Sequence, residues 1–125
     1  LKHTKIENKY IEFGLPIARK LADIEIGQTL IVKNKTVIAV EAFEGTDKAI
    51  TRGCELAKDN CVVIKVSRTN QDYRYDSPGI GPKTIKTLIA GGASVLALEA
   101  ERVMAVEQEK LIEMANEAKL TITCI

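Results

Sequence analysis

Cys61-Val62-Val63-Ile64 is an apolar run. Lys65-Val66-Ser67-Arg68-Thr69-Asn70-Gln71-Asp72-Tyr73-Arg74-Tyr75-Asp76-Ser77-Pro78-Gly79-Ile80-Gly81-Pro82-Lys83-Thr84 follows it directly. The β-branched content of the run predicts a buried strand. At the far end a Pro/Gly turn leads into a new apolar periodicity, Ile85, Leu88 and Ile89, which predicts a helix. Between strand and helix lie acids, cations, a glutamine and hydroxyls, with almost no aliphatic side chain. Chemistry concentrates on such loops when a core strand carries them, although a solvated surface loop has the same composition.

The alternation continues on both sides of this stretch. Upstream, residues 1–10 are polar and read as a linker or amino-terminal arm. A helix is expected from about Glu12 to Ile24, with Leu15, Ala18, Leu21 and Ala22 on one face, Pro16 in its first turn and Gly27 closing it. Thr29-Leu30-Ile31-Val32 and Thr36-Val37-Ile38-Ala39-Val40 flank Lys33-Asn34-Lys35, whose asparagine accepts positive φ, so a β-hairpin is predicted. The next helix carries Ala49, Ile50, Gly53, Cys54 and Ala57 inward, with Thr46 or Asp47 as its cap. Downstream, a helix from about Pro82 to Ala90 ends at Gly91-Gly92, and Ser94-Val95-Leu96-Ala97-Leu98 is a strand. Val103–Val106 is a short strand, and Gln108–Ala118 a helix with Leu111, Ile112 and Ala115 inward. Leu120–Ile125 is the last strand. The class is α/β: one domain with a mixed β-sheet and flanking helices, opening with a helix and a hairpin.

Bulk composition excludes several functions. The 125 residues and 46% hydrophobic content suit one domain with one core. Eighteen basic against seventeen acidic residues leave a formal charge of +1, which is no footprint for bulk nucleic-acid or anionic-membrane binding. Trp is absent, and with it the usual stacking platform for single strands. No apolar run approaches the roughly 18–20 residues of a membrane helix. Leu1 in place of methionine reads as a piece of something longer. Cys54, Cys61 and Cys124 sit in apolar surroundings without paired ligand spacing, which predicts buried free thiols in a reducing cytoplasm.

Three polar clusters each follow a predicted strand: Glu41/Glu44/Thr46/Asp47, then Lys65 to Asp76, then Glu99/Glu101/Arg102. Ligands bind at the carboxyl edge of open α/β sheets, so parallel strands would bring the three into one cleft. Carboxylates there suit magnesium, and Lys65, Arg68, Arg74 and Arg102 suit phosphate oxygens. Together with a helix N-terminus they are the equipment of phosphoryl transfer or pyrophosphate cleavage. Each also has a plain alternative: Glu44 and Asp47 as helix caps, Arg102 paired with Glu99 or Glu101, Arg68 solvated. Pro78-Gly79-Ile80-Gly81-Pro82-Lys83-Thr84 resembles the turn of a helix-hairpin-helix DNA-binding motif. Arg68 to Ser77 lack the aliphatic stripe that the preceding helix of that motif requires, and DNA binding is not expected.

Four ordered blocks carry a wider resemblance. They are Asp23-Ile24-Glu25-Ile26-Gly27-Gln28; Ala39-Val40-Glu41-Ala42-Phe43-Glu44-Gly45-Thr46-Asp47; Lys65 with Gln71-Asp72-Tyr73-Arg74-Tyr75-Asp76-Ser77-Pro78-Gly79-Ile80-Gly81 and Thr84; and Leu98-Glu99-Ala100-Glu101-Arg102. In this order and spacing the chain resembles the carboxyl-terminal half of the LpxI-type UDP-2,3-diacylglucosamine pyrophosphatases. The resemblance implies that residues 11–125 are the C-terminal domain, with the family's amino-terminal Rossmann-like half absent. It also implies a bacterial, magnesium-dependent hydrolase of lipid A biosynthesis that releases UMP and 2,3-diacylglucosamine 1-phosphate. Asp76 corresponds to the family's critical aspartate, as metal ligand or water-orienting group, with Glu44 and Asp47 as further ligands. Lys65, Gln71, Arg74, Arg102 and Thr46 are the expected substrate-binding residues. A cytoplasmic homodimer, touching the inner membrane face through its lipid substrate, is the expected setting.

Overall fold

Five strands form one mixed sheet with a helix on one face and three on the other. The structure, a computed structural model, describes residues 5–67, 79–99, 104–105 and 108–125. In chain order the elements are α1 (Lys5–Asp23), β1 (Thr29–Lys33), β2 (Thr36–Val40), α2 (Thr46–Ala57), β3 (Val62–Lys65), β4 (Gly79–Ile80), α3 (Pro82–Gly91), β5 (Val95–Leu98), β6 (Met104–Ala105), α4 (Gln108–Ala118) and β7 (Thr121–Cys124). The sheet order is β2-β1-β3-β5-β7, and β4 pairs with β6 in a separate two-stranded sheet. This is the expected α/β domain, helix first and hairpin next.

β1 runs antiparallel to both β2 and β3, while β3, β5 and β7 are mutually parallel. β2 therefore points the same way as β3. The carboxyl ends of β2, β3, β5 and β7 share one edge, together with the start of β1. In the hairpin Lys33 pairs with Thr36 across Asn34 and Lys35, both at positive φ (53° and 59°). Two such residues make a two-residue type I′ turn, whose twist matches the strands.

Alternation along the strands separates two cores. Leu30, Val32, Val62, Ile64, Val66, Val95 and Ala97 meet Ile11, Ala18 and Ala22 of α1. Ile31, Val63, Leu96 and Leu98 meet Ile50 and Cys54 of α2, Ile85 and Leu88 of α3 and Ala115 of α4. Glycines let helices approach closely on both faces. A Cβ at Gly14 of α1 would stand 2.5 Å from Ile64 Cδ1, and one at Gly53 of α2 would stand 2.9 Å from Ile31. Distances under 3 Å are steric overlap, so a larger residue at Gly53 meets the base of the Ile31 side chain and pushes the helix off the sheet, while at Gly14 it displaces the tip of Ile64.

Several local expectations need correction. α1 starts at Lys5, ahead of the expected start near Glu12, so residues 5–10 are helical. Ile11 is buried in the core, and the Tyr10 hydroxyl donates to Asn34 Oδ1 at 2.8 Å, which ties this turn to the hairpin. Pro16 consequently lies inside the helix and not in its first turn. It is exposed, so its missing N–H falls on the solvent side. The helix is closed at Glu25 (φ 63°) and not at Gly27, with Ile26 N–H bonded to Leu21 C=O and Glu25 N–H to Ala22 C=O. This is a Schellman arrangement. Gly79–Ile80 is a strand that pairs parallel with Met104–Ala105. A strand, rather than the turn of a helix-hairpin-helix, therefore leads into α3. On α4 Ala115 is buried, but Ile112 is 38% exposed.

The α2 face is as predicted: Ala49, Ile50, Gly53, Cys54 and Ala57 are all buried. Cys54 is a buried free thiol, and its Sγ lies 3.4 Å from that of Cys61, also free and buried. Cys124 is exposed, because the edge strand β7 leaves its last residue uncovered.

Candidate functional site

Lys65 is the last residue of β3, and its side chain points to the α2 side of the sheet. It is only 6% exposed. Burial lowers the pKa of its ammonium, and the negative charges of Glu41 and then Asp47 resist that shift. Lys65 Nζ donates to Thr46 Oγ1 at 2.8 Å. Thr46 Oγ1 in turn donates to Glu41 Oε1 at 3.2 Å. Thr29, paired with Lys65 in the β1–β3 register, donates its hydroxyl to Thr46 Oγ1 at 3.4 Å.

Thr46 and Asp47 are not the cap of α2, contrary to expectation. The N-cap is Gly45 (φ 92°, ψ 168°), with no side-chain hydrogen bond to the helix end. Glycine reaches that backbone without the Cβ penalty. Thr46 and Asp47 therefore sit in the first helical turn with their side chains committed elsewhere. Asp47 Oδ1 accepts from the Thr84 hydroxyl at 2.8 Å, and Lys83 Nζ stands 4.0 Å from Asp47 Oδ2. Thr84 and Lys83 belong to the first turn of α3, whose own N-cap, Gly81, likewise has no side-chain cap. The amino-terminal ends of two helices thus meet beside a buried ammonium, at the carboxyl edge of the sheet. A helix N-terminus and a cation together suit an oxyanion.

The structure brings Thr46, Asp47 and Lys65 together. Glu44 lies on the loop between β2 and α2, exposed, with its carboxylate accepting the backbone N–H of Ala42. Gln71, Arg74, Asp76 and Arg102 lie outside the described residues, as does Arg68. Two contributors are not among the expected metal- or substrate-binding residues: Glu41, which accepts the Thr46 hydroxyl, and Thr84, which binds Asp47. Each carried a signal, since Glu41 directly follows a strand and Thr84 opens a helix after a Gly-Pro step.

Glu99 belongs to a different arrangement. It is 6% exposed and faces α1, where Arg19 Nε donates to Oε2 at 3.1 Å. Its other oxygen accepts the Ser67 N–H at 3.2 Å and the Ser67 hydroxyl at 3.5 Å. The third predicted cluster therefore begins on the opposite face of the sheet from Lys65.

Hard carboxylate oxygens are the donors that magnesium takes, usually one or two of them alongside water and substrate phosphates. Asp47 offers such oxygens, one engaged by a neutral hydroxyl and the other 4.0 Å from an ammonium. Among the described residues no three acidic, histidine or cysteine side chains group to hold a metal ion. Asp47 is thus the described residue at this edge that could contribute an oxygen to magnesium.

The sequence model of the LpxI C-terminal domain matches residues 1–123. A curated relative, the UDP-2,3-diacylglucosamine pyrophosphatase LpxI of Caulobacter vibrioides, is 32% identical over 120 residues. That match covers 90% of this chain and 43% of the relative, so the chain spans less than half of the relative's length.

Proposed function

The chain belongs to the LpxI C-terminal domain family, and on that premise we propose that it is the catalytic domain of a UDP-2,3-diacylglucosamine pyrophosphatase. The reaction is hydrolysis to UMP and 2,3-diacylglucosamine 1-phosphate in lipid A biosynthesis, with magnesium as cofactor. The observation that carries the reading is Lys65, a buried ammonium whose direct partner among the described residues is a hydroxyl. It lies where two helix N-termini meet.

A pyrophosphate repels incoming nucleophiles through its own negative charge, so its site must neutralise charge before water can attack. Lys65 supplies a fixed positive charge in a dry setting, where electrostatic attraction is stronger than in water. Thr46 seats it. The first-turn amides of α2 offer N–H donors to phosphate oxygens, whereas α3 opens with Pro82, which has none. Gln71, Arg74 and Arg102 are proposed to hold the remaining oxygens, with arginine binding two at once. Magnesium, when bound by Asp47 and Asp76 with Glu44 nearby, would neutralise phosphate charge. Asp76 either holds that ion or orients the attacking water.

No helix among the described residues is long and apolar enough to cross a membrane. The proposed setting is the cytoplasm, with membrane-surface contact through the lipid substrate and a homodimer as the assembly.

The test is UMP release by the complete gene product at saturating substrate and magnesium, comparing wild type with Asp76→Asn and measuring affinity in parallel. A loss of about 10²–10⁴-fold with binding retained is expected of a lost acid–base or metal-holding group. Retention of more than about a tenth of the activity removes Asp76 from the mechanism. Binding of UMP without any turnover by the wild type makes the domain a nucleotide-binding module instead.

A further inference from the structure

We propose that Glu41 is a positioning residue for this site: it takes the single hydroxyl proton of Thr46, so that Thr46 must accept from Lys65, and its charge keeps an ammonium tenable in a buried place. The inference rests on the reading that Lys65 meets a phosphate.

The polarity follows from the donor inventory. A lysine ammonium only donates, an ionised carboxylate only accepts, and a threonine hydroxyl has one proton to give. The links Lys65 to Thr46 at 2.8 Å and Thr46 to Glu41 at 3.2 Å can therefore run in one direction only. Thr46 cannot give the same proton to a phosphate. Of the three ammonium protons of Lys65, one is used by Thr46 among the described residues.

The Glu41 backbone is held from two sides. Its N–H donates to Thr29 C=O at 2.9 Å. Gly27 packs so closely on its carbonyl that a Cβ there would overlap it. The carboxylate is further engaged by the Gln28 N–H at 3.4 Å.

The neighbours of Lys65 leave few other sources of charge among the described residues. β1 presents Thr29 and β5 presents Leu98, both uncharged and both in register with Lys65. α2 presents Thr46 and Asp47, while α3 presents Thr84 and Lys83, which engage Asp47. The charged groups acting on Lys65 are thus Glu41 and Asp47. Burial works against the ammonium, and Glu41 is the stronger of the two acids that sustain it.

The experiment is a pH profile of UMP release by the complete gene product, with Lys65→Met, Glu41→Gln, Glu41→Asp and Thr46→Val compared with wild type. Lys65 must be protonated to bind phosphate. Removing the Glu41 charge should therefore move the basic limb of kcat/KM to lower pH. Glu41→Gln is expected to lose about tenfold in kcat/KM on that limb, mainly through KM, and little on the acidic side. Glu41→Asp keeps the charge and should recover most of the loss. If Glu41→Gln does not fold, Thr46→Val takes its place, with recovery by Thr46→Ser. A Glu41→Gln profile that superposes on wild type, while Lys65→Met loses about 100-fold, overturns the positioning role and leaves the parent reading intact. An active Lys65→Met enzyme overturns the parent reading and this inference with it.

Discussion

Lys65 and Glu99 close adjacent parallel strands at the same sheet edge, each 6% exposed and each charged, yet they are satisfied in opposite ways. Glu99 meets a guanidinium at 3.1 Å and the Ser67 backbone N–H at 3.2 Å, so its charge is consumed inside the fold. It ties α1 to the ends of β3 and β5. Lys65 meets a hydroxyl at 2.8 Å, with the Glu41 carboxylate one hydrogen bond further away. Among the described residues its charge is supported but not directly neutralised. Burial therefore does not by itself mark a functional charge. The identity of the nearest partner separates a structural ion from one kept for a ligand.

The widest separation is expected in turnover. Lys65→Met should lose about 100-fold in kcat/KM for UMP release, the cost of removing a desolvated charge from an ionic contact. Glu99→Gln keeps the shape and should stay within about threefold, as expected of a residue outside the contact. An equal loss in both variants would erase the distinction.

Stability should order the two residues the other way round. Glu99→Ala removes a buried carboxylate together with its hydrogen bonds from the Ser67 N–H and from Arg19, a loss of about 2 kcal/mol. Arg19, with a half-exposed side chain, returns to water at little cost. Lys65→Met exchanges an ammonium whose burial is costly for an apolar chain of similar length and should be neutral or stabilising. Urea unfolding of this chain measures both, and a destabilised Lys65→Met would show that the ammonium is a structural ion.

The smallest effect is a pH slope. The pKa of Lys65 in the folded state is lowered from 10.5 by burial. Between the lowered value and 10.5 the unfolded chain binds more protons than the folded one, so stability rises with pH across that window. Below the window the full cost of the buried charge is present. Wild type should therefore gain on Lys65→Met as pH climbs towards 10.5, while phosphate binding weakens over the same range. A parallel pair of stability curves would contradict the desolvation of Lys65.

The site was half legible from the residues. Thr46, Asp47 and Lys65 could be nominated because each ends a strand or begins a helix, and the parallel strand ends do bring them to one edge. The capping reading of Thr46 and Asp47 was reasonable locally, since both residue types cap well. It failed because Lys65 and Thr84, far away in the chain, claim their side chains and leave Gly45 at the cap. Glu99 was grouped with the phosphate-facing clusters because a strand end has two faces, and its own position does not say which face holds the other clusters.

The sequence by itself determined what depends on near neighbours. The inward face of α2, a β-hairpin turning at Lys33-Asn34-Lys35 and the Gln108–Ala118 helix follow from spacing and residue type within short windows, while four ordered blocks along the chain carry the family. Tertiary structure decided the sheet order, the side of the sheet on which each charge lies, the closeness of Cys54 and Cys61, and the extension of α1 to Lys5. Those outcomes depend on which distant surfaces pack together. Side-chain alternation sets the relative direction of neighbours on a strand, and only the pairing of strands and the docking of helices turns that into two defined faces.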